Sequence, residues 1–304
     1  MDTATRNTGW TSTRLPCSSQ QQSAGNSAQP HSYQNAESSV ALFYSKQAVN
    51  LWLAAFFLVV LSISYLTPPF QSPDEFNHLK RAYLLSKGKI FLDAENDTTG
   101  GHIDTGLLDY MHYFENLPFL IDETVNKVDW SLAENITWSG KTQFSDLPNT
   151  AAYFPLPYVP QALALLTSEH IGSSISAAYY LARIFSLIAT LGLLWAAFRL
   201  YPVPLIVFAL FCTPMTLFQA GSTSLDSVSF ATSVLAASLF LRGADIRLSF
   251  NSTMQIALLI CLFSLATTRA YLICLTLLPA VLYVARRSRS YLISSAALVI
   301  LSLA

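Results

Sequence analysis

An all-α integral membrane protein is expected from this sequence, a polytopic helical bundle with a large first extracytoplasmic loop. The expectation starts from how few charges there are and where they fall. Of 304 residues 52% are hydrophobic and 12% charged, about half the charged share of an ordinary soluble domain. No charged residue lies in 47–73, 200–225, 248–268, 270–285 or 290–304, and Arg183 stands alone in 171–198. Mean hydropathy is +0.41. Uncharged blocks of this length exclude a soluble enzyme and a disordered chain. A net charge of −1 gives no basic surface for nucleic acid.

Residues 1–46, rich in Ser, Gln, Thr and Asn and without the apolar core of a signal peptide, read as a disordered cytoplasmic tail, and 47–304 as the membrane domain. A spanning helix takes about 20 apolar residues, or as few as roughly 17. Spans are expected at about 48–66, 176–198, 203–219, 225–241, 253–268 and 270–285, the last two forming a tight hairpin tipped by Arg269-Ala270. A partial seventh, 290–304, is still apolar at the last residue, so the chain reads as the front part of a longer protein. The segment 67–173 is too long for a simple connector. Near its end a Pro-broken apolar stretch is expected to form an interfacial helix at about 156–168, anchored by Tyr153 and Tyr158.

Basic residues set the orientation. Arg6, Arg14, Lys46, Arg199, Arg242, Arg247, Arg286, Arg287 and Arg289 fall on every second connection. The amino terminus is therefore expected on the cytoplasmic side of the cell (inner or plasma) membrane and 67–173 outside, since long loops cross largely regardless of charge. The four cysteines include no CxxC pair, which supports neither a disulfide framework nor a thiolate metal site. Asp93, Glu95, Asp97, Asp104 and Asp109 read as solvated loop charges.

The first span leads into an acidic motif. Ser72 suits an N-cap, Pro73 the first helical position, Glu75 the return arm of a capping box and Gly88 a stop, so a helix is expected at about 73–87. At about 100° per residue, Phe76, Leu79 and Tyr83 share one face and Asp74, His78, Arg81 and Leu85 the opposite one. The ordinary account is a dipole-favouring carboxylate, a capping glutamate and a solvated Asp74–His78 pair. Position argues for more, because a carboxylate at the outer membrane surface can reach lipid headgroups. Arg269 lies alone between two uncharged spans, where an ionisable group is a functional candidate, a snorkelling arginine being the ordinary alternative. Asp226 starts the fourth span, where helix capping is the ordinary reading, and Arg183 is expected to pair inside the bundle. All of these fall on the outer side of the expected topology.

The run Pro68-Pro-Phe-Gln-Ser-Pro-Asp-Glu-Phe-Asn-His-Leu-Lys-Arg-Ala82 resembles the signature of domain of unknown function family 2142, a family of predicted membrane proteins. Tyr153-Phe-Pro-Leu-Pro-Tyr and Gly221-Ser-Thr-Ser-Leu-Asp-Ser-Val-Ser-Phe extend the resemblance over about 68–285. That family is grouped with the GT-C glycosyltransferases and is similar to protein O-mannosyltransferases in its Asp-Glu pair. The resemblance implies an inverting transfer of a sugar from a polyprenyl-phosphate donor to a cell-envelope glycan or glycolipid acceptor, beside membrane lipid and without nucleic acid. Asp74 and Glu75 would be the catalytic carboxylates, and His78, Arg81, Asp226 and Arg269 would bind substrate. The metal requirement stays open, with Asp74 the ligand for any divalent ion. The alternatives are a non-catalytic transporter or flippase for lipid-linked glycans, or an inactive truncated fragment.

Overall fold

The computed structural model describes residues 45–95, 97–117, 129–148 and 150–303. Of the expected tail, only Ser45 and Lys46 are among them. The chain runs through α1 (Lys46–Leu66), α2 (Glu75–Ser86), β1 (Asp93–Glu95), β2 (Thr98–Asp104), α3 (Thr105–Phe114), α4 (Trp130–Glu134), β3 (Thr142–Asp146), a 3-10 turn (Leu156–Tyr158) and α5 (Val159–His170). It continues with α6 (Ile175–Leu200), α7 (Leu205–Phe211), α8 (Pro214–Ala220), α9 (Asp226–Ala244), α10 (Ser252–Thr268), a 3-10 stretch (Ala270–Leu277), α11 (Leu278–Arg286) and α12 (Arg289–Leu303).

Three of the described helices, α1, α6 and α9, are long and apolar enough to cross a membrane. Ser45 starts α1 by accepting from the Ala48 amide at 3.1 Å, as an N-cap does. Val49, Leu53, Phe56, Val60 and Ser64 make its buried stripe, three or four residues apart as one helical face requires. The other faces leave Leu51 72% and Leu58 61% exposed. Water would penalise so much apolar surface, whereas hydrocarbon does not. Ser174 caps α6 in the same way, accepting from the Ala177 amide at 3.2 Å. Helix α6 packs against α9, α5 and α1 and forms the centre of the bundle.

The block 203–219, expected as one span, is instead two seven-residue helices, α7 and α8. Pro214 causes the break. Proline has no amide to continue a helix and drives the residue before it out of helical geometry; Thr213 is accordingly extended at φ −69°, ψ 143°. Each piece is about 10 Å long at about 1.5 Å per residue, too short to cross alone. The block 270–285 also departs from a plain α-helix, beginning with eight residues of 3-10 geometry before α11, which carries Pro279 in its first turn.

At one end of the bundle arginines cap the helix termini, whose last carbonyls lack intrahelical partners. Arg242 donates to Leu200 O at 2.9 Å, and Arg286 donates to Gly243 O at 2.6 Å, Leu248 O at 2.9 Å and Asp245 O at 3.0 Å. At the other end the described part of 67–173 folds onto the bundle. Its antiparallel sheet has the order β1-β2-β3, with Gly100 opposite Asp146 and Ile103 opposite Gln143. A side chain at Gly100 would run into the Ser145 carbonyl, which explains glycine there. Leu79, Ile103, Leu107, Tyr110, Phe114 and Tyr179 share one core, joining this segment to the start of α6.

Asp104 corrects an expectation. Rather than a solvated charge it is buried, accepting from Gly106 N (2.8 Å), Gly140 N (2.9 Å), Ser139 N (3.1 Å) and Ser139 Oγ (3.2 Å). It caps α3 and ties it to the 139–140 turn. Asp104→Ala should cost about 1–3 kcal/mol, lowering the thermal unfolding midpoint of the purified protein, with Asp104→Asn recovering part of the loss. An unchanged midpoint would show that the cap is dispensable.

Candidate functional site

The site is organised by the turn between α1 and α2. Helix α1 ends with carbonyls that need donors, and Arg183 of α6 supplies them: Nη1 donates to Ser64 O at 2.7 Å and Thr67 O at 2.9 Å, Nη2 to Pro68 O at 3.1 Å. The guanidinium lies 4.6 Å from the centre of the Tyr179 ring and its Nη2 is 3.5 Å from Glu75 Oε1. Glu75 has no exposed surface. Its Oε1 accepts from Tyr179 Oη (2.7 Å), Thr223 N (2.8 Å) and Thr223 Oγ1 (3.2 Å), and its Oε2 from Ser72 N (3.3 Å). Tyr179 Oη in turn accepts from Phe70 N at 3.1 Å.

Within this turn Phe70 and Asp74 adopt φ of 62° and 57°. Left-handed geometry is rare outside glycine and costs of order 1–3 kcal/mol. It persists here because the chain is fastened on both sides, through Arg183 before it and Glu75 after it. The expected N-cap is corrected as well. Helix α2 begins at Glu75, and the buried Ser72 hydroxyl has no partner. Only the return arm of the capping box forms, because Glu75 is drawn toward Arg183, Tyr179 and Thr223.

The two adjacent carboxylates therefore do different work. Glu75 anchors and cannot touch a ligand, whereas Asp74 is exposed at the start of α2. His78, one turn on, is buried, with Nδ1 2.7 Å from Tyr158 Oη. Burial lowers its pKa; the carboxylates of Asp226 and Asp74 work against that, Arg269 adds to it, and Glu75 opposes it. The imidazole thus lies in the field of groups from α9 and the α10 hairpin as well as its own helix. Burial pushes the Tyr158 phenol well up, and the phenol and Nδ1 share one hydrogen bond whose direction follows the imidazole tautomer. Arg269, extended at the hairpin tip, pairs with Asp226, whose other oxygen accepts from Gln219 Nε2 at 3.2 Å. Asp226, Arg269, Gln219 and Ser229 line a cavity of about 300 Å³. Arg81 turns instead to backbone carbonyls, those of Lys89, Ile90 and Tyr153.

Tyr158, Gln219 and Thr223 were not singled out as site residues. A signal for two of them was present, since Tyr158 and Thr223 lie in the second and third of the quoted motif stretches. The structure brings all three stretches together: Glu75 meets Thr223, His78 meets Tyr158, and Arg81 meets the Tyr153 carbonyl. Among the described residues no three His, Cys, Asp or Glu side chains gather closely enough to hold a metal ion.

Long apolar helices, lipid-compatible exposed faces and buried charges gathered at one end of a bundle define a helical membrane protein. The chain belongs to the family described as predicted membrane protein (DUF2142), whose model matches residues 56–304. No curated protein and no solved structure matches it.

Removing one partner of a buried pair costs about 3–5 kcal/mol, so Glu75→Ala should strongly lower the unfolding midpoint. Arg183→Met should lower it at least as far, because it also strips the α1 carbonyls. A double-mutant cycle should give a coupling above about 0.5 kcal/mol; strict additivity would show that the pair does not act as a unit. His78 gives a pH dependence of definite sign. Its pKa is lower folded than unfolded, so its contribution to stability is complete above the ordinary imidazole value of 6.5 and is lost as pH falls below it. His78→Gln should flatten the fall in unfolding midpoint between neutral and mildly acidic pH; an unaltered slope would assign the fall to other groups.

Proposed function

We propose that the chain is a GT-C-like membrane glycosyltransferase, moving a sugar from a polyprenyl-phosphate donor to a glycan or glycolipid acceptor at the outer face of the cell membrane, its amino terminus cytoplasmic. The observation that carries this reading is the division of roles between neighbouring carboxylates. Glu75 is locked into the bundle, and that anchor holds the exposed Asp74 at a fixed place on the bundle end carrying 67–173. A general base must be accessible and rigidly held, and Asp74 is both. The arginine caps at the opposite end, Arg242 and Arg286, support the orientation.

In this reading the acceptor hydroxyl gives its proton to Asp74 as its oxygen bonds to the anomeric carbon. The bond from that carbon to the phosphate oxygen breaks, its electron pair leaves on the phosphate, and the configuration inverts. The departing phosphate gains charge and needs a cation. Arg269 suits this role because a phosphate can replace Asp226 as its partner. His78, neutral and bonded to Tyr158, supplies a polar wall that adds no competing charge. Glu75 is a positioning residue.

Asp74→Asn tests the assignment. Sugar transfer by the full chain from a polyprenyl-phosphate donor in vitro should fall about 100-fold or more, with membrane insertion and unfolding midpoint unchanged. Undiminished transfer by the correctly inserted variant would remove Asp74 from the reaction.

A further inference from the structure

Arg81 is 1% exposed. Its Nη1 donates to Lys89 O at 3.2 Å, and its Nη2 to Ile90 O at 2.7 Å and Tyr153 O at 3.3 Å. Every one of these acceptors is neutral. Its Nε has no partner, and none of the ion pairs among the described residues includes it. Arg183, the other deeply buried arginine, meets carbonyls in the same way but also has Glu75. The comparison isolates what Arg81 lacks. A buried charge met only by dipoles is costly, and an anion relieves that cost.

Arg81 also lines a cavity of about 700 Å³ between the α2–β1 connection, the 151–155 stretch and the ends of α10 and α12. This volume falls in the range of roughly 300–1,000 Å³ usual for ligand pockets. Phe91, Leu92, Phe154, Phe263 and Leu301 supply its apolar walls. The Phe154 and Phe263 rings meet edge to face at 5.0 Å, and Phe154 N donates to Thr267 O at 3.5 Å, so the stretch is tied to α10. Phe91 is 84% exposed at the rim. An apolar cavity by itself accepts any hydrophobe, and a buried arginine by itself can be a strut. Together they fit one kind of molecule, an apolar chain with one anionic head.

We propose that this cavity binds a single-chain lipid monophosphate, its phosphate on Arg81 and the first units of its chain between Phe154, Phe263 and Leu301. The planar guanidinium fork suits phosphate oxygens. The proposal deepens the transferase reading by giving the donor's phosphate a resting seat, and rests on that reading only for the sugar the lipid would carry. Binding itself requires no reaction.

The full chain in nanodiscs of neutral phosphatidylcholine is offered geranylgeranyl monophosphate, geranylgeraniol or dioleoyl phosphatidic acid, and bound lipid is counted by native mass spectrometry. The monophosphate should bind about tenfold or more tighter than the alcohol. Arg81→Gln should reduce it to the level of the alcohol, and Ala270→Trp, at the exposed rim, should weaken both in parallel. Arg81→Lys, which keeps a cation, should retain part of the preference, separating charge recognition from a strut. Equal binding of alcohol and monophosphate by the unmodified chain, a preference surviving Arg81→Gln, or one lost as fully in Arg81→Lys would overturn the proposal. Phosphatidic acid competing as well as the monophosphate would overturn its single-chain form. Asp74→Asn should leave binding intact, so a failure of transfer and a failure of this seat are told apart.

Discussion

The buried contact between Glu75 and Arg183 fixes the relation of nearly everything at this end of the bundle. One guanidinium closes the carbonyl end of α1 and faces the carboxylate that opens α2. The same carboxylate takes a phenol from α6 and an amide from the α8–α9 connection. Two charges in a low-dielectric interior tolerate one another's company only when their remaining hydrogen-bonding capacity is filled, and here tyrosine, threonine and backbone groups fill it. Four separate stretches of chain are thereby brought to one point.

The polar groups around that point inherit its rigidity. Asp74 immediately precedes the anchor at the start of α2, and His78 lies one turn beyond it in a helix whose first turn is pinned. Asp226 and Arg269 are fixed by different means, a mutual ion pair supported by Gln219. The arrangement combines a fully buried pair with a half-buried pair that borders a cavity. A cluster made only of solvated charges would lack defined geometry.

Much of the helical framework could be read from the sequence, because uncharged blocks flanked by polar residues leave few alternatives to α1, α6 and α9. The division of 203–219 was also written locally, in Pro214, but a hydropathy pattern averages over such a break. Other features depended on partners far away in the chain. Helical spacing put Asp74 and Glu75 in different directions without revealing that Glu75 was buried against a guanidinium while Asp74 stayed exposed. Asp104 looked like a loop charge because two of the three amides that satisfy it come from 35 and 36 residues further on. His78 and Arg81 were legible as candidates by type and position. Their separation, one toward Tyr158 and one toward a carbonyl-lined recess, follows from how the 153–158 stretch folds back over α2.

The capping of α1 by Arg183 also bears on synthesis. The carbonyl of Ser64 waits for a donor 119 residues further along the chain. At about 5–20 residues per second, that interval lasts roughly 6 to 24 s. During it the first helix has an unfinished end, and Glu75 has no counter-charge. The arrival of the second long helix therefore completes the first one. Their joining is a step of biogenesis in which a single arginine converts two independent insertions into one assembled end of the bundle.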